Sequence, residues 1–233
     1  MASDTASPIN IAELIRNPPF ELSKADREAL LTPEEDFIPH SWEDLKQVIA
    51  AGDLSLLKRT PTSLRDYILW TRDVRQTYGS VMNCILQERL GWEGEESAET
   101  LSSGSGSGFV CANLTPFEDE RDYRVLRNDW PYGFEEGMVH LVIWVKRLGE
   151  VDGEGGLTKK GREEVEGFLD VGGGKGGGVA KEDLLWFRNS RKWQSVQALE
   201  HIHVVVRNVA EGWVERLTGQ RAEDCFWRSY VPK

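Results

Sequence analysis

His140-Leu141-Val142-Ile143-Trp144-Val145 is an almost unbroken apolar run rich in β-branched and aromatic side chains. It is too short for a typical helix and reads as a strand buried on both faces. A second run of the same kind, His201-Ile202-His203-Val204-Val205-Val206, lies further along the chain. Shorter apolar stretches at 123–126 and 184–187 read as two more strands. Residues 158–168 and 211–217 have helical spacing. The second half is therefore a small mixed or antiparallel sheet with crossing helices.

Upstream of the sheet the periodicity changes to that of helices. Ser41-Trp42-Glu43-Asp44 reads as a helix start, with a serine to cap and acids to complement the dipole. Leu45, Val48 and Ile49 give that helix its buried face. Pro61-Thr62-Ser63 opens a longer helix in which Leu64, Tyr67, Ile68, Val74 and Tyr78 recur at three- and four-residue spacing. Gly79 interrupts it, a run burying Val81, Met82, Ile85 and Leu86 follows, and Gly91 ends that run. The fold class is α+β: a helical N-terminal half packed on the sheet. Residues 1–22 read as a flexible tail with one short helix at 11–16, and residues 23–233 as a single domain. Within it, the helical part spans 41–92, a Ser/Gly-rich flexible loop spans 93–108, and the sheet-containing part spans 109–233.

Composition narrows the function classes. The chain has 233 residues, 39% hydrophobic and 29% charged, and no apolar run long enough to span a membrane. Its polar start has no signal-peptide pattern, and its three cysteines are widely spaced. Together these point to a reduced, cytoplasmic setting with no zinc site. A net charge of -11 argues against a DNA partner and against a general nucleic-acid coat. It leaves room for a local basic patch.

Several segments carry candidate chemistry. Asn128-Asp129-Trp130-Pro131-Tyr132-Gly133 joins an amide, a carboxylate and two aromatic rings to a proline–glycine turn. It reads either as a rigid turn with Trp130 in the core, or as a ligand site with Trp130 and Tyr132 as stacking faces. In Glu200-His201-Ile202-His203, strand alternation puts His201 and His203 on one face. Two histidines there can bind a metal, relay a proton, or supply a nucleophile with a helper, though a metal needs a third ligand and none is local. Glu200 joins them only if the strand bulges, and His140 approaches only if the two strong strands pair. The basic cluster Arg188-Asn189-Ser190-Arg191-Lys192-Trp193 suits a phosphate or the end of an RNA chain, or is a solvated loop. The glycines of 172–178 surround Lys175 without the Ser or Thr of a phosphate loop and read as a linker.

These segments also resemble a known family. Ser41-Trp42-Glu43-Asp44-Leu45, Tyr78-Gly79-Ser80-Val81-Met82-Asn83, Glu88-Arg89-Leu90-Gly91-Trp92, Asn128 to Gly133, and Glu200-His201-Ile202-His203-Val204 are similar to the fungal N-acetylglucosamine-induced protein family. The likeness spans residues 30–215, and the two glycine-rich loops look like insertions. The resemblance implies a fungal small-molecule enzyme, with a link to arginine-containing cyclodipeptide synthases that draw activated amino acids from aminoacyl-tRNA. On that reading Asp129 and Glu200, with Glu135 or Glu136, hold a guanidinium, and Trp130 stacks on it. His201 or His203 takes the proton of the attacking amine. Asn128, Tyr132 and His140 line the substrate site, and Arg188, Arg191 and Lys192 meet the tRNA end. No metal and no cofactor enter. Two alternatives stand beside it: a sugar-binding or sugar-modifying protein, and a histidine-nucleophile nucleotide or phosphate transferase or hydrolase. A serine two places before the histidine would favour the last, and Leu199 stands there.

Overall fold

A computed structural model describes residues 10–94, 108–152, 156–170, 178–189, 199–224 and 230. Local chemistry sets the helix boundaries. Helix α1 is Ile11–Arg16, and α2 is Lys24–Leu31, opened by a capping box between Ser23 and Asp26. Helix α3, Trp42–Ala51, starts on the same device built from Ser41 and Asp44 and stops at Gly52 in the left-handed region. Helix α4, Pro61–Tyr78, has the Thr60 hydroxyl accepting from the Ser63 amide and proline at its first position. Gly79 separates it from α5, Val81–Ile85, which runs on into a wider turn over Leu86–Leu90 and ends at Gly91. Helices α6, Lys159–Asp170, and α7, Glu211–Thr218, belong to the second half.

The sheet contains β1 (Tyr123–Arg127), β2 (Val139–Val145), β3 (Leu184–Phe187) and β4 (Glu200–Val206) in the order β1-β2-β4-β3, with every pairing antiparallel. The sheet is thus antiparallel, the second of the two expected forms. The two apolar runs pair at its centre, with Val142 opposite His203 and Trp144 opposite His201. Alternation then gives two different faces. Leu141, Ile143, Val145, Ile202, Val204 and Val206 pack under Val165 and Phe168 of α6 and Val214 and Leu217 of α7. The other face, with His140, Val142, Trp144, His201 and His203, turns toward the helical half.

That half has its own core, built on Leu64, Ile68, Val74, Ile85 and Leu86 of α4, α5 and the turn after α5. Leu14 and Leu22 are buried in it. The segment expected to be a loose tail is therefore docked from α1 onward, because Leu14 gives so short a helix an apolar anchor. Residues 1–9, most of the Ser/Gly-rich loop, residues 171–177 and the basic residues Arg191 and Lys192 lie outside the described residues. Among those described, no helix is long and apolar enough to cross a membrane.

Candidate functional site

The segment 128–133 leaves β1 and is held from three sides. The Asn128 amide donates to the His140 carbonyl at 2.8 Å, continuing the β1–β2 ladder. The Gly133 amide donates to the Lys58 carbonyl, and the Gly133 carbonyl accepts from the His40 amide, both at 2.8 Å. A β-carbon at Gly133 would lie 2.5 Å from the Phe37 ring, so any larger residue there would force that ring to move. The Asn128 side-chain oxygen accepts from the Trp130 amide at 2.9 Å, which aims its NH2 at the His140 ring. Trp130 is buried against Tyr67, Trp70 and Tyr230. Tyr132 is stacked on His140, with ring centroids 5.6 Å apart. Neither ring keeps an open face for a sugar or a substrate guanidinium, because the core and the chain's own groups already cover them.

Below this turn lie three histidines. Asn189 donates to His203 Nε2 (3.2 Å), so the His203 proton sits on Nδ1 and is donated to His140 Nε2 (3.0 Å). Both nitrogens of His203 are engaged, and His140 sits behind it. The two rings are thus taken up by each other and by Asn128 and Asn189. His201 differs. Its Nδ1 lies 3.0 Å from the Leu199 carbonyl, which can only accept, so Nδ1 carries the proton. Nε2 is left as a bare lone pair with no protein partner among the described residues. Trp144 packs on the ring at 4.7 Å. Burial pushes all three imidazoles below their ordinary pKa, His140 to about 3. Each is therefore neutral at pH 7.

The carboxylates are arranged differently from the expectation. Register along β2–β4 is continuous, with no bulge, so Glu200 faces away from His201. It accepts from Arg188 at 2.6 Å in a pair whose side chains are 15% and 7% exposed. Glu200 is thus not a companion of the histidines, and Arg188 is not open to an RNA end. Glu135 and Glu136 are exposed and do not line the cleft. Asp129 does line it, but both its oxygens accept from Arg89, at 2.9 and 2.7 Å. This forked pair, 21% and 16% exposed, ties the turn to the segment after α5. Asp129→Asn should therefore leave a half-buried guanidinium short of its partner and lower stability by about 2–3 kcal/mol. Chemical denaturation would show the loss. An unchanged midpoint with a raised KM would instead make Asp129 a substrate ligand.

A cleft of about 610 Å³ opens between the polar face of the sheet and α2, α4 and α5. His201, His203, Trp144, Asn128, Asp129, Asn189, Trp130 and Tyr132 contribute to one wall, and Tyr67, Trp70, Arg59 and Asp26 to the other. Strand alternation thus brings His201 and His203 into the same cavity as Asp129. Sequence reasoning missed Arg59, which no periodicity marks, and Trp144, which had been read only as strand core. No group of three or more His, Cys, Asp or Glu among the described residues is placed to hold a metal ion.

Comparison with known proteins places this architecture. A protein of Candida albicans named N-acetylglucosamine-induced protein 1 is 24% identical over 185 residues, covering 77% of this chain and 72% of its own length. An uncharacterized protein of Saccharomyces cerevisiae is 30% identical over 192 residues, covering 82% and 90% of the two chains. The crystal structure of HTC1 superposes with a TM-score of 0.54 at 26% identity, over 79% of this chain and 90% of that one. The model of the family described as "Protein of unknown function (DUF3605)" matches residues 41–207, which include α3 to α5, all four strands and every described histidine of the cleft, and the chain belongs to that family.

Proposed function

We propose that this protein is a small-molecule enzyme that uses His201 as a general base, and that its reaction is aminoacyl transfer from aminoacyl-tRNA to form an arginine-containing cyclodipeptide. The observation that most supports an enzyme is the state of His201. It is neutral, its tautomer is set by the Leu199 carbonyl, and its Nε2 lone pair lies in a cleft large enough for two amino acids. In such a reaction the amine of one residue attacks the ester carbon of another. A C–N bond forms, a C–O bond to ribose breaks, and His201 Nε2 accepts the amine proton and returns it to the departing ribose oxygen. Repetition within the dipeptide closes the ring.

Asp129 is committed to Arg89 through both oxygens, so the substrate guanidinium falls to Glu21 at the mouth and to the Asp26 oxygen that its capping box with Ser23 does not use. Contact with tRNA falls to the exposed Arg75 at the mouth, together with the expected Arg191 and Lys192. The setting is the cytosol, where charged tRNA is found. The sugar reading loses its stacking faces, since Trp130 and Tyr132 are covered. A second reading uses the same Nε2 as a nucleophile toward phosphorus, and it predicts a covalent phosphohistidine visible by intact mass.

Mass spectrometry of metabolites from a host producing the protein, compared with His201→Gln, tests the proposal. A cyclic dipeptide containing arginine, present with the native chain and lost in the variant, is the expected result. Unchanged metabolites with the native chain would overturn it.

A further inference from the structure

Arg59 stands out among the charged groups of the cleft. Its guanidinium lies over the Tyr67 ring at 4.5 Å and over the Tyr132 ring at 5.1 Å. Its Nε donates to the Trp130 carbonyl at 3.1 Å. Three contacts thus fix the plane of the group, while its two NH2 ends have no protein acceptor among the described residues. The neighbouring charges are largely committed. Arg89 holds Asp129, Glu211 holds Arg127, and Arg75 donates to the Pro19 carbonyl. Asp26 accepts from Ser23 within its capping box, and Glu21 is at the exposed mouth.

A second observation points the same way. Trp130 is 4% exposed, lines the same cleft, and its indole N–H has no hydrogen-bond partner. A buried donor left unmade loses its hydration without replacement, so such groups are ordinarily satisfied by a partner. Tyr132, its hydroxyl 3.5 Å from the Asn189 amide that donates to it, still has its own O–H to give. Two NH2 groups, an indole N–H and a phenol O–H are all donors. Their common complement is a group rich in acceptors and negative in charge.

We infer that the cleft binds an anionic oxygen group of its substrate, a carboxylate or a phosphate, on the Arg59 guanidinium with the Trp130 indole N–H as a further donor. The inference rests on the cleft being the active site. It deepens the proposed reaction by placing the anion at Arg59 and the reacting amine at His201. An aminoacyl ester has no free carboxylate, so in that reaction the anion is the phosphodiester beside the terminal ribose. A free amino acid as second substrate would present a carboxylate instead.

Calorimetric titration of the full chain with inorganic phosphate, acetate and neutral acetamide distinguishes these sources. The expected result is saturable binding of at least one anion and none of acetamide. Binding should weaken tenfold or more in Arg59→Gln, recover in part in Arg59→Lys, and persist in His201→Gln. Circular dichroism melts of each variant separate lost binding from lost fold. Arg59→Gln folding normally and binding anion as the native chain does would overturn the inference, as would equal binding of acetamide or no anion binding by the native chain. The product assay fails independently. Anion binding lost in Arg59→Gln with no cyclodipeptide from the native chain leaves the anion site and removes the reaction. Product without Arg59-dependent anion binding does the reverse.

Discussion

Moving from pH 7 to pH 5 should remove several kcal/mol of folding stability. All four histidines of the chain, His40, His140, His201 and His203, are held below their ordinary pKa, chiefly by burial. In the unfolded chain each takes up a proton near pH 6.5. In the folded chain His140 resists protonation down to about pH 3. The unfolded state therefore binds more protons across this window, and stability rises with pH there and falls as pH drops. For His140 alone the loss between pH 7 and pH 5 is about 2 kcal/mol, and the other three add losses of the same sign. Against a typical total of about 5–15 kcal/mol this is a large fraction. The carboxylates of Asp44, Asp119 and Asp183, held low by hydrogen bonds from Ser41, Arg121 and Arg207, act in the same direction but at more acid pH. Urea unfolding at pH 7, 6 and 5 measures the slope. His140→Gln, able to keep a bond to His203, should reduce the pH 7-to-5 loss by about 2 kcal/mol. A flat profile between pH 7 and pH 5 would show that the histidines are solvated in the folded protein.

The same burial explains which parts of the site were legible in the sequence. Strand periodicity placed His201 and His203 on one face and Ile202 on the other, and β2–β4 pairing brought His140 within hydrogen-bond reach. The capping serine marked α3 because Ser41 satisfies an orphan amide at its start, and Pro61 marked α4 because proline suits the first helical position. Partnerships across the fold were not legible. Asp129 was read as a substrate ligand, yet Arg89 reaches it from the segment after α5, forty positions earlier in the chain. Glu200 could join the histidines only through a bulge, and the continuous β2–β4 register leaves it on the opposite face, where Arg188 takes it up. Arg59 has no local signature at all. Its role arises only where α4 sets Tyr67 beside a turn that contributes Tyr132. Charge and aromatic content are readable in one dimension, whereas which cation is left without a carboxylate is a property of the packed chain.

His201→Gln should lower kcat for cyclodipeptide formation from charged tRNA by about 10²–10⁴-fold with little change in KM. The lone pair of Nε2 is needed when the amine loses its proton, and a glutamine in the same space has no comparable base. Among the described residues the ring bonds the Leu199 carbonyl and packs against Trp144 and His203, contacts a glutamine in the same space partly keeps, so substrate binding should survive. A pH profile separates this role from a packing role. Burial holds the His201 pKa below its ordinary value, so kcat/KM should be flat above about pH 6.5 and fall only on the acid side. That limb should reverse on return to pH 7 as long as the chain stays folded, and it should be absent from the residual rate of the variant. His203→Gln supplies the contrast. Its imidazole bridges Asn189 and His140, so the variant should lose stability and activity together while keeping the acid limb of His201. Undiminished turnover in His201→Gln would remove the base from the reaction. Equal loss in both variants, in proportion to a lowered melting temperature, would reduce the histidine face to a polar core.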